Sequence, residues 1–99
     1  MSDDELRDLL LYKAEDWEPG PSEKSDRFVL INRIMSTWQD KNKSLIAKAG
    51  AVILLIAQYY YKRLHHGRAQ DALGLKGVED VIANALQAKF ILLNKDQLI

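Results

Sequence analysis

Histidines, carboxylates and cysteines are the residue types that most often supply catalysis or metal binding, and the histidines here are adjacent: His65 and His66. Neighbouring residues of a helix point about 100° apart, so the two side chains cannot chelate one ion well. A zinc site needs three or four ligands and favours histidines four residues apart. We interpret both histidines as polar residues at a helix end, where imidazole can bond the last carbonyls.

The densest acidic cluster lies near the N-terminus and comprises Asp3, Asp4, Glu5 and Asp8. Paired carboxylates can act as general acid and base when burial separates their pKa values. These four fall near the predicted start of a helix, where capping and the helix dipole already explain acidic residues. The chain has no cysteine, and no serine-hydrolase, dinucleotide-binding or phosphate-loop motif. The sequence therefore predicts no catalytic residue, no cofactor and no metal site.

Charge is segregated along the chain although the formal net charge is zero. Residues 1–26 hold nine acids and three bases, a net charge of −6, and residues 27–76 hold two acids and nine bases, a net charge of +7. The simplest interpretation is that the acidic first helix packs beside the basic middle. The alternative is that the middle binds a polyanion such as nucleic acid. The residues expected to make that contact are Lys41, Lys43, Lys48, Lys62, Arg63 and Arg68.

The elements that must position these residues are predicted to be helices. Apolar residues recur with helical spacing at about 3–17, 26–40, 44–65 and 78–93, with a short helical turn at about 68–73. The prolines at 19 and 21 end the first helix, and Gly74 and Gly77 are expected to separate the turn from the last helix. Two alternatives stay open: the polar segment 39–44 is a turn or continues the helix, and 90–93 is helix or a short strand.

The third helix is the most informative segment because every residue from Ala49 to Ala57 is apolar or glycine. A helix that is apolar all round is typical of one buried on all sides, so we predict that it forms the centre of the domain. A membrane-associated segment at 45–61 is the alternative, since 17 residues is about the lower limit for a bilayer span. The amphipathic neighbours favour the buried helix because they need an apolar surface on which to pack.

Length and composition favour one small all-α domain. The 99 residues are 47% hydrophobic and 28% charged, as in ordinary globular domains. We predict a single domain over 1–99, a four-helix or possible five-helix bundle around the helix at 44–65. The acidic N-terminus does not resemble a signal peptide, so a soluble, cytoplasmic protein is expected. Core candidates in the last helix are Val78, Val81, Ile82, Ala85, Leu86 and Ile91.

Large aromatic and apolar side chains beyond those that the predicted core needs indicate a contact surface. Three consecutive tyrosines at 59–61 fan out over about 200° of a helix and cannot all enter one core. We expect a partner interface at Trp38, Tyr60, Tyr61, Leu98 and Ile99. The sequence thus predicts a small, non-catalytic protein-interaction or regulatory accessory module that self-associates as a homo-oligomer. Nucleic-acid binding through the basic middle is the first alternative, and membrane association the second.

Overall fold

A computed structural model describes residues 1–17, 24–67 and 75–97 of the chain. These residues form no strand and contain four α-helices: α1 (Asp3–Ala14), α2 (Lys24–Gln39), α3 (Leu45–Gly67) and α4 (Leu75–Leu93). Helix α3 packs against both α2 and α4, while α1 packs against α2 and touches α4. The prediction of an all-α, four-helix bundle is confirmed. The helical turn predicted at 68–73 lies outside the described residues.

Helix α1 begins where the sequence provides a cap. The Ser2 side-chain oxygen accepts a hydrogen bond from the backbone N–H of Glu5 at 3.2 Å. The acidic residues of the first turn lie at the positive end of the helix dipole, which stabilises them there. The helix ends at Ala14, and residues 15–17 continue as a turn that carries Trp17 into the core.

A turn at 40–44 separates α2 from α3, so the alternative of a continuous helix is wrong. The Asp40 carboxylate accepts from the backbone N–H of Asn42 at 2.9 Å, and Ser44 caps α3 by accepting from the N–H of Ala47 at 3.2 Å. Side chains of this kind compete with helix continuation because they satisfy backbone groups locally.

Helix α4 starts at Leu75 and runs through Gly77. The prediction that Gly77 precedes the helix is therefore wrong. The propensity cost of a glycine in a helix, about 1 kcal/mol, is smaller than the gain from packing the apolar stripe that follows. Residues 90–93 are helical, and the alternative of a terminal strand is therefore wrong.

The core takes one stripe of side chains from each helix. Both tryptophans are buried in it, together with small alanines of α4 that let the neighbouring helices approach. The largest fully buried side chains are Leu10, Ile31, Ile34, Val52, Ile56 and Leu92.

Helix α3 is not buried on all sides, contrary to the prediction for Ala49 to Ala57. Val52 and Ile56 are fully buried, but Ile53 and Leu54 are 41% and 58% exposed. The physical reason is the arrangement of the bundle: α2 and α4 pack on one side of α3, and this covers one stripe of it. An apolar sequence shows which residues are suited to burial. The number of neighbouring helices decides how many of those residues the fold buries.

Membrane insertion was the alternative for this helix. Across the described residues, none of the helices combines the length and hydropathy that crossing a bilayer requires.

Two isoleucines of α3 provide a test of this burial pattern. Ile56→Ala should lower the free energy of unfolding by about 2–5 kcal/mol, because it removes fully buried atoms and leaves a cavity. Ile46→Ala, at a side chain that is 86% exposed, should change it by less than about 0.5 kcal/mol. Chemical denaturation at low protein concentration measures both values. Equal losses would contradict the orientation of α3.

Candidate protein-interaction face

Helix α4 carries a stripe of exposed apolar side chains along its length. Val78, Ile82, Leu86, Phe90 and Leu93 are each 41–59% exposed. Because they follow one another at intervals of four residues, and finally three, they share one flank of a helix with 3.6 residues per turn. The buried stripe of α4 lies about a third of a turn away around the helix axis. The helix therefore has two apolar flanks, and the core uses one.

Helix α3 has a comparable exposed flank. Leu45, Ile46, Ile53, Leu54 and Tyr61 are all at least 41% exposed, and their spacing places the last four on one broad flank. The same flank contains a glycine, residue 50, at which an added Cβ would meet no described atom within 4 Å beyond the adjoining residues and backbone of its own helix. Packing within the bundle therefore does not require this glycine.

The exposed flanks of α3 and α4 lie side by side. On α3, Leu55 lines an open groove of about 460 Å³ with residues of α2, so the opposite flank of α3 lies toward α4. On α4, Asn84 and Gln87 contact Trp17 at the end of α1, so the opposite flank of α4 lies toward α3. Since α3 and α4 pack on each other, their stripes form one surface. We call it the α3–α4 apolar face; it comprises Ile46, Ile53, Leu54, Tyr61, Val78, Ile82, Leu86, Phe90 and Leu93.

A polar network around Trp17 fixes the orientation of α4. The Trp17 side chain is 3% exposed, and its indole N–H donates to the Gln87 side-chain oxygen at 2.8 Å. Its backbone carbonyl accepts from the Tyr60 hydroxyl and, at 3.3 Å, from the Asn84 amide. The Asn84 amide also donates to the Tyr60 hydroxyl. Trp17, in the turn that follows α1, thus joins α3 and α4. Its hydrogen bonds hold the polar flank of α4 inward and the apolar stripe outward.

Charged side chains are scarce on the face. Between Leu45 and Tyr61 the only charged residue is Lys48, which is half-buried and lies on the flank toward α2. On α4, the exposed Glu79 and the half-buried Lys89 lie within the angular range of the stripe, so the face carries one acid and one base among its apolar side chains. Within the described ranges the one salt bridge is Arg7–Asp4, at 2.9 Å on α1. The chemistry of the face is therefore that of a surface to be covered by apolar groups.

The residues predicted to form a partner interface do not lie together. Trp38 is buried in the core at 9% exposure, and Tyr60 is half-buried and bonded to the Trp17 carbonyl. Tyr61 is on the α3–α4 apolar face, and Leu98 and Ile99 lie outside the described residues.

Sequence reasoning missed the α4 part of the face because it assigned three of its members to the core. Val78, Ile82 and Leu86 are exposed, whereas the other core candidates, Val81, Ala85 and Ile91, are buried. The available signal was that α4 carries two apolar stripes, offset by one residue. A helix in a four-helix bundle buries only one such stripe.

The residues predicted to contact a polyanion are only partly described. Lys41 and Lys43 are exposed in the turn before α3, and Lys48 is half-buried one turn into that helix. The side chains of Lys62, Arg63 and Arg68 lie outside the described part, as do those of His65 and His66. In the part of the chain that is described, no group of three or more histidine or acidic side chains could hold a metal ion.

Comparison with known proteins gives this chain no relative: no protein-family model, curated protein or solved structure matches it. Function is therefore inferred from the surface that the described residues present.

The Trp17 network predicts a measurable loss on removal of a single oxygen. Tyr60→Phe should lower the free energy of unfolding by about 0.5–1.5 kcal/mol, because the Trp17 carbonyl and the Asn84 amide each lose one partner but still bond each other. Tyr12→Phe is the matched control, since Tyr12 is 65% exposed on the far side of α1. Denaturation followed by tryptophan fluorescence reports both. An unchanged midpoint for Tyr60→Phe would show that the network does not stabilise the bundle.

Proposed function

We propose that this protein is a small, non-catalytic protein-interaction module that self-associates through the α3–α4 apolar face. The observation that carries the proposal is the extent of that face: nine large apolar side chains at 41–86% exposure on two adjacent helices. Surface apolar residues scattered singly are normal, but a contiguous patch above about 300–600 Å² marks an interaction site.

The area of the face matches that of a protein interface. Taking about 150 Å² for each fully exposed large side chain, the lower end of the range for aromatic ones, nine of them at about half exposure offer on the order of 700 Å². A specific interface of standard size buries about 800 Å² on each partner. The face is therefore within the range of specific interfaces, which is about 600–1,000 Å² per partner.

The composition of the face favours a partner with an apolar surface. A second copy of the chain presents such a surface. A surface with so few charges gives a charged partner little to pair with, and it does not repel its own copy. The described residues offer no specific support for nucleic-acid binding, since the exposed bases Lys41 and Lys43 lie in a turn beside Asp40. The proposal places the module in the cytoplasm, and a chain without cysteines is compatible with that reducing compartment.

Sedimentation equilibrium over a range of concentrations tests this proposal. Wild type should form a discrete oligomer, and Ile82→Glu should raise the dissociation constant at least about tenfold, because it buries an unpaired carboxylate in the centre of the face. The matched control is Val29→Glu on α2. Val29 is 49% exposed and Ile82 is 50% exposed, but Val29 lies off the face, and this variant should associate like wild type.

Circular dichroism should show both variants folded, since both positions are solvent-exposed in helices. A wild type that stays monomeric at the highest soluble concentration would contradict self-association, and equal effects of the two substitutions would contradict the face. Binding of the monomer to lipid vesicles, abolished by Ile82→Glu, would indicate that the face meets a membrane surface instead.

A further inference from the structure

We propose that two copies pair through a two-fold axis parallel to α3 and α4, so that the bulky residues of α4 in each copy pack on the small residues of α3 in the other. This inference rests on the proposed function and specifies which helices meet in the dimer. It uses three observations: the two-helix extent of the face, the distribution of large and small residues across it, and the levels of α3 and α4.

The extent of the face argues against pairing through α4 alone. Pairing α4 with α4 alone would cover one stripe and leave Ile46 and Leu54 of α3 in water. With a two-fold axis parallel to the helices, α4 of each copy lies over α3 of the other, and both stripes become buried. Such an interface is isologous and closed, because each copy uses the same residues and no apolar stripe is left for a third copy.

Small residues are interleaved with large ones on the α3 flank of the face, whereas the α4 stripe itself is made of large apolar residues. The outward flank of α4 carries the bulky side chains Leu86, Phe90 and Leu93. The outward flank of α3 includes Gly50, where the space around an added Cβ is open, and the half-buried Ala57. Close packing requires large groups opposite small ones. The α4 stripe is therefore more complementary to α3 of a second copy than to another α4 stripe.

The levels of the helices bring these residues opposite one another. The short connection between α3 and α4 makes them antiparallel neighbours, and the contact between Tyr60 and Asn84 shows where they are level. Gly50 lies ten residues before Tyr60, and Leu93 lies nine residues after Asn84, so these two are at nearly the same height. Ala57 and Leu86 are likewise level. A two-fold axis parallel to the helices preserves height, so each pair meets across the interface.

Exchanging the sizes of one such pair tests the arrangement. Gly50→Leu should keep or increase the stability of the monomer, because leucine favours the helix and the space around an added Cβ is open among the described residues. The same substitution should raise the dissociation constant of the dimer about tenfold or more, because it occupies the space that Leu93 of the second copy fills. The double variant Gly50→Leu with Leu93→Ala should recover much of the lost affinity, since it restores the combined volume.

The outcomes separate this inference from the proposed function. If Ile82→Glu breaks the dimer but Gly50→Leu leaves it unchanged or tighter, the pairing of α3 with α4 is wrong and self-association through the face stands. If Gly50→Leu weakens the dimer and the double variant does not recover, the specific opposition of Gly50 and Leu93 is overturned. A monomeric wild type overturns both. Single Leu93→Ala is the control, and it should weaken association less than Gly50→Leu.

Discussion

The structure depends on one constraint: α3 and α4 carry more apolar surface than two neighbouring helices can cover. A bundle of this size buries one stripe from each helix. A chain of about 100 residues has a high ratio of surface to volume, so it can bury only a limited share of its apolar residues. The stripe through Val52 and Ile56 on α3 and the stripe through Ala85 and Leu92 on α4 fill the core. The remaining apolar residues of both helices stay on the surface, side by side, and form the feature from which function can be inferred.

Trp17 determines which flank of α4 faces outward. An indole and a carbonyl from one residue bond groups on both α3 and α4, so the end of α1 sets the rotation of α4 about its axis. Without these bonds the two apolar stripes of α4 would compete for the core with similar hydrophobic gain. Buried polar groups of this kind contribute little net stability but discriminate between alternative packings, because an unpaired partner is costly.

Much of the fold could be predicted from the sequence. Ser2, Asp40 and Ser44 act at helix ends or in the turn as their chemistry predicts, and the core candidates Val81, Ala85 and Ile91 of the last helix are buried. The candidate face could not be predicted in the same way. Hydrophobicity alone does not distinguish Ile53 from Ile56, since the difference between them is which neighbour lies over each one. The same limit explains Trp38, which is large enough for an interface hot spot yet is buried in the core.

A self-associating face also changes how the stability of the bundle should be understood. If the α3–α4 apolar face is covered only in the oligomer, folding and association share one apolar surface, and the folded state gains stability with concentration by mass action. An uncovered face of this extent would instead expose the monomer to indiscriminate association. A closed, two-fold interface removes that hazard because it leaves no apolar stripe free for a further copy. The glycine at 50 fits this view: it lowers helix propensity in the monomer, a cost that packing within the bundle does not explain and that close approach of a second chain would offset.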